Sequence, residues 1–174
     1  RAAKHSDVKF ITIEDYRHFR DVGLLGLTPE GSDRPGARDR NGSRNALFAD
    51  LLISTGLRLE EASSLLAVEI EEAIRASVGR DKQVAFRLPA SLTKGDKGRT
   101  IRIPASLLAR LRSYLEVERA VAVEKFKMRG GIMRMSAALT CGVNAGRIEV
   151  ATASGERRPM RLDTVTPDER RRLV

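Results

Sequence analysis

Val84-Ala85-Phe86-Arg87-Leu88 and Thr100-Ile101-Arg102-Ile103 each alternate with period two, and between them lies the polar stretch Thr93-Lys94-Gly95-Asp96-Lys97-Gly98. Two short alternating runs around a glycine-bearing polar segment predict a β-hairpin. On either side the period lengthens. Upstream, Arg44 to Ser54 is apolar on nearly every side, which predicts a helix buried in the core, and Thr55-Gly56 ends it. Leu59 to Ala67 predicts a second helix with Leu59, Ala62 and Leu66 on one face, so Arg58 stands at the junction of two packed helices. Glu69 to Ala76 reads as acidic and irregular. Downstream, Pro104 stops the second strand, and Leu107, Leu108, Leu111, Leu115 and Val121 recur near 3.6 through a long helix closed by Gly130-Gly131. The expected fold class is α+β, mostly helical with a small antiparallel β-hairpin.

Further out the signals weaken. Thr12 to Gly23 predicts a short helix: it opens with a Ser/Thr-x-x-acid cap and places Ile13, Tyr16, Phe19 and Arg20 at helical spacing. Gly, Pro, Asp and Arg dominate Thr28 to Ser43 and mark an exposed, flexible loop. A second hairpin is expected over Arg147 to Leu162, turning at Ser154-Gly155. Thr166-Pro167-Asp168-Glu169 reads as a helix start, with Thr166 as cap and Glu169 reaching back. The chain stops five residues later, so a domain continuing past Val174 is expected. The organisation is then an N-terminal arm with the first helix over residues 1–27, the loop over 28–43, and the body over 44–174.

Composition narrows the function. The chain has 174 residues and is 41% hydrophobic, enough for the core of one ordinary domain, and its 14 Gly and 6 Pro show no fibrous period. Its one cysteine, Cys141, cannot form an internal disulfide and suits a reducing cytoplasm. No apolar run approaches a signal sequence or a membrane span, so a cytoplasmic protein with no membrane partner is expected. The net charge is +9, and the window Arg87 to Arg134, with twelve basic and four acidic residues, carries almost all of it. A polyanion is the simplest partner for such a surface. Aromatic residues are only 4%, with no Trp, which argues against base stacking on single strands and for the backbone of a duplex. His5 and His18 have no ligand constellation around them, so no metal cofactor is expected.

Two segments taken together resemble a known family. Thr55-Gly56-Leu57-Arg58-Leu59-Glu60-Glu61 after an apolar helix, followed by Thr93-Lys94-Gly95-Asp96-Lys97-Gly98-Arg99 between strands, is similar to the first catalytic box and the β-hairpin lysine of the tyrosine recombinases, or phage integrases. The similarity is good over residues 44 to 120. It implies a site-specific recombinase acting on double-stranded DNA, associated as a synaptic tetramer in the full-length protein and carried by a bacterium, phage or mobile element. It also implies roles. Arg58 would neutralise phosphoryl oxygens in the transition state, for which a planar, always-protonated guanidinium is suited. Lys94 would protonate the departing 5′ oxygen. Glu61 matches an acidic position and would orient Arg58 or a neighbour without reacting. Lys97, Arg99 and Arg102 would hold the DNA.

The family completes its site with a His-x-x-Arg box, a further His or Trp, and a tyrosine nucleophile after the hairpin. Neither histidine here has an arginine three residues later, both precede Arg58, and the tyrosines are Tyr16 and Tyr114, the latter at core spacing. The sequence therefore predicts the front part of a catalytic domain over residues 44–174, unable to cleave DNA by itself. Two other classes stay open. One is a non-catalytic DNA-binding module derived from an integrase; the other is an adaptor that binds protein through the long amphipathic helix.

Overall fold

The structure, a computed structural model, describes residues 11–36, 41–79, 82–95, 97–131, 147–151 and 157–172. The chain divides into two compact units, Arg1–Ala49 and Asp50–Val174.

In the first unit, helix α1 (Ile13–His18) begins where the cap signal places it. Thr12 is extended, and its Oγ1 accepts from the Asp15 backbone N–H at 3.1 Å. A π-helical turn, Phe19–Leu24, continues it. Tyr16 is buried while Ile13 and Phe19 are exposed, so one residue of the expected apolar face serves the interior. Of the expected flexible loop, residues 29–36 are exposed, and backbone hydrogen bonds from Thr28 to Ser32 and from Arg34 to Gly26 close this part into a turn, whereas Gly42 is buried. Helix α2 (Gly42–Thr55) starts two residues before the expected boundary at Arg44.

Helix α2 departs from expectation in its surroundings too. Ala46, Leu47, Asp50 and Leu51 are buried, but Ile53 and Ser54 face solvent, so the helix is covered on one side only. Its end is local chemistry: Thr55 Oγ1 donates back to the Leu51 carbonyl at 2.6 Å, and Gly56 turns the chain at φ +65°, where a side chain would be strained.

The second unit holds the predicted hairpin. Strands β1 (Gln83–Leu88) and β2 (Arg99–Pro104) pair antiparallel from Gln83↔Pro104 to Leu88↔Arg99. Val84, Leu88, Ile101 and Ile103 are buried on one face, while Ala85, Arg87, Thr100 and Arg102 are exposed on the other. The predicted helix Leu59–Ala67 is instead two. Helix α3 (Leu59–Ser63) stops, Leu66 turns extended, and helix α4 (Ala67–Ser77) occupies the stretch expected to be irregular. The cause is Glu69, which is buried and accepts the Leu66 backbone N–H at 2.9 Å, a capping box that starts a new helix. Val68, Ile70 and Ala73 then bury its inner face, whereas Leu59 is exposed.

After β2, helix α5 (Ala105–Tyr114), a π-helical turn (Leu115–Arg119) and helix α6 (Ala120–Met128) run on without interruption. Leu107 and Leu108 are buried and Leu111, Tyr114 and Leu115 half-buried, as their spacing predicts. Val121, expected on the same stripe, is exposed. The π turn inserts an extra residue and rotates the rest of the helix, so that Arg119 and Val123 take the half-buried side. Gly130 at φ +80° and the Gly131 N–H on the Phe126 carbonyl end the run. Strands β3 (Arg147–Ala151) and β4 (Arg157–Arg161) form a second antiparallel pair; the predicted turn at Ser154-Gly155 lies outside the described residues. Helix α7 (Pro167–Arg172) comes next, and Glu169 Oε2 accepts from the Thr166 N–H at 2.8 Å.

One buried arginine ties the C-terminal helix to the middle of the chain. Arg170 donates to Glu69 Oε2 at 2.7 Å and to the carbonyls of Leu162, Val165 and Ser64. Beside it Leu66, Val68, Leu162 and Val165 form an apolar cluster with Met160 against it. Among the described residues, no helix is long and apolar enough to cross a membrane.

Candidate functional site

Arg58 is the last residue before α3, extended at φ −71° and ψ 154°, directly after the Gly56 turn. Its position is set by Glu61 one turn later. Glu61 Oε2 accepts from the Arg58 backbone N–H at 2.8 Å, satisfying one of the orphan donors at the helix start. The same oxygen accepts from Arg99 Nη2 at 2.6 Å, and Arg99 also reaches the Gly56 carbonyl at 3.4 Å. Glu61 Oε1 stands 3.7 Å from Arg58 Nη1 and has no hydrogen-bond partner. A single buried carboxylate thus organises two guanidiniums, from the start of α3 and from β2.

Those guanidiniums face water. The side chains of Arg58 and Arg99 are 62% and 42% exposed, while Glu61 is buried beneath them. The buried acid offsets one of the two positive charges, which leaves a local surplus of one on two donor forks. This arrangement accepts an anion with several oxygens, since each fork can give two N–H bonds.

The hairpin sets what lies next to this pair. Leu88↔Arg99 is the last rung before the turn, so the turn end of the ribbon, not its open end, lies at Arg58 and Glu61. Lys94 and Lys97 sit on that turn, both exposed. Thr93 shapes it: its hydroxyl is 3.0 Å from the Ala90 carbonyl and 2.8 Å from that of Lys97, and Gly95 takes φ +81°. Among the described residues, neither lysine side chain makes a hydrogen bond or ion pair with Arg58, Glu61 or Arg99. Arg102 stands on the outer face of β2 with Arg87, opposite to the face from which Arg99 reaches inward.

Of the six residues singled out in the sequence, the structure therefore brings Arg58, Glu61 and Arg99 together, puts Lys94 and Lys97 at the adjoining turn, and turns Arg102 to the ribbon's other side. Sequence reasoning misses the role of Arg99 as Glu61's partner. The available signal is its register: Arg99, Ile101 and Ile103 share a face, an odd place for an arginine unless a carboxylate meets it. A shallow cleft of about 430 Å³ lined by Ile74, Arg75, Val78, Arg112 and Leu115 shares no residue with this group. Among the described residues no cluster of His, Cys, Asp or Glu is placed to hold a metal ion. No family model, curated protein or solved structure matches the chain.

Proposed function

We propose that the chain binds the phosphodiester backbone of duplex DNA through Arg58 and Arg99, and that it is the front part of a strand-breaking and rejoining enzyme of the tyrosine recombinase type. The observation that carries the reading is the pair of exposed guanidiniums held on the buried Glu61 at the turn end of a basic ribbon. A phosphodiester offers two non-bridging oxygens to such a pair, and the ribbon's Lys94 and Lys97 extend the contact along the strand. In the chemistry the resemblance implies, a tyrosine hydroxyl gives up its proton to solvent and attacks phosphorus, the phosphotyrosine bond forms and the bond to the 5′ oxygen breaks. Arg58 stabilises the charge on the pentacoordinate phosphorus, Arg99 holds the backbone beside it, and Lys94 gives its proton to the departing oxygen.

The sequence feature that favours the second reading, a DNA-binding module without cleavage, is that neither histidine has an arginine three residues later and that the one tyrosine after the hairpin, Tyr114, stands half-buried at core spacing. Both readings require duplex binding.

The test is fluorescence anisotropy with a labelled duplex across a salt series. Binding should fall linearly in log K against log salt, and Arg58→Ala and Arg99→Ala should each lower the slope by about one. No duplex binding at about 50 mM salt would end the proposal. A covalent adduct, which only the enzyme reading allows, should not form with this chain alone. In a complete enzyme, Arg58→Ala should abolish cleavage with little loss of affinity, and the slow cleavage of Lys94→Ala should recover on a substrate with a better 5′ leaving group.

A further inference from the structure

The long helix from Ala105 to Met128 carries a face that the chain leaves uncovered. Leu111, Leu115, Arg119 and Val123 are half-buried on one side, and on the opposite side Val117, Val121 and Met128 are 59%, 50% and 85% exposed. Spacings of four and seven residues align these three along one stripe. Glu118 and Lys125 flank the stripe on the same edge, two turns apart. Neither makes a hydrogen bond or ion pair with the described residues, whereas Arg112 pairs with Glu116 and Lys127 with Glu124 on the same helix.

The charges have an internal symmetry. From Glu116 to Lys127, read outward from the point between Val121 and Ala122, each charged residue meets one of opposite sign at the same distance on the other side: Arg119 and Glu124, Glu118 and Lys125, Glu116 and Lys127. The apolar positions also match, Val117 with Phe126 and Ala120 with Val123. Of these pairs Glu118 and Lys125 alone lie beside the exposed stripe without partners, and they give that face the self-complementarity that a two-fold symmetric, antiparallel helix pair uses. In such a pair, residues on the same edge of the two stripes face each other, so each Glu118 comes level with the partner's Lys125 while the valines close the middle.

We propose that this face is a homodimer interface: two copies pack antiparallel about an axis near Val121, with two Glu118–Lys125 ion pairs across it. The proposal is independent of the Arg58 cluster. A helix pair of this length buries less than the roughly 1,200 Å² of a standard interface, so the dimer is weak, concentration-dependent and weakened by salt.

Sedimentation equilibrium of the nucleic-acid-free chain tests it. The wild type should dimerise reversibly, and Glu118→Lys and Lys125→Glu should each weaken dimerisation at least tenfold, by placing like charges across the axis. An equimolar mixture of the two variants should restore it. In that heterodimer the lysine introduced at position 118 meets the glutamate introduced at position 125, and the unchanged Lys125 meets the unchanged Glu118, so both pairs across the axis are of opposite sign. Circular dichroism should show both variants folded, as expected for exposed helix positions without partners. A wild type that stays monomeric at the highest soluble concentration, single variants that dimerise as well as wild type, or a mixture that stays monomeric would each overturn the proposal.

Discussion

Glu61 shows how one side chain can set both a local fold and a site. Its carboxylate caps the backbone of Arg58 and pairs with Arg99 thirty-eight residues further on, so removing it should act on stability and on the spacing of two guanidiniums at once. Glu61→Ala leaves a helix-start N–H and the Arg99 guanidinium without their acceptor and the Arg58 guanidinium without its nearby charge, and should cost about 2–3 kcal/mol. Glu61→Gln keeps an acceptor for the Arg58 N–H and loses only the charge, and should cost about 1 kcal/mol. Urea unfolding checks both, and equal losses would show that the charge, not the cap, dominates. Arg58 and Glu61 are legible together in the sequence because their relation is one helical turn. Arg99 reads there as a DNA contact alone, because nothing local announces a partner that distant.

At the scale of elements, the hairpin and the two threonine caps are legible, since each is written in residues a few positions apart: the period-two runs of β1 and β2, and Thr12, Thr166 and Glu169 at their helix starts. Helix α4 is not. Its stretch reads as acidic and irregular, yet Glu69 is buried, and the arginine that makes this tolerable lies 101 residues downstream. The phase of the long helix is hidden for a related reason, because nothing in the apolar spacing reveals the π turn that rotates Val121 outward. The Glu69–Arg170 pair yields a prediction. Arg170→Met strands a buried carboxylate and withdraws the donor from the carbonyls of Leu162, Val165 and Ser64, which should cost about 3–5 kcal/mol. Glu69→Gln leaves those carbonyls served and should cost less, about 1–3 kcal/mol. Thermal unfolding of both variants measures the order, and its reversal would mean that the ion pair, not the carbonyl contacts, seats α7. Gly42 offers a separate check in the first unit: a Cβ there would stand 2.6 Å from the Leu24 carbonyl oxygen, so Gly42→Ala should destabilise although alanine favours helix.

Across the whole molecule, the charge count locates the basic window but not its free charge. Arg110 pairs with Asp50, Arg112 with Glu116 and Lys127 with Glu124, so several cations of the long helix already have a carboxylate. On the hairpin, Arg87, Lys94, Lys97 and Arg102 are exposed with no carboxylate partner among the described residues. Arg87 and Arg102 are diagonal neighbours on the outer face, about 7–8 Å apart by strand geometry, and repel one another until an anion arrives. The counterions that DNA binding releases should therefore come chiefly from the ribbon. The double variant Arg87→Ala/Arg102→Ala should flatten the plot of log K against log salt by about two. Arg112→Ala/Lys127→Ala removes the same net charge from residues already paired and should change the slope by much less. Measured side by side in one salt series, these doubles separate a localised binding surface from a general effect of net charge: equal flattening by both would mean that the duplex responds to the total and the hairpin has no special part in holding it.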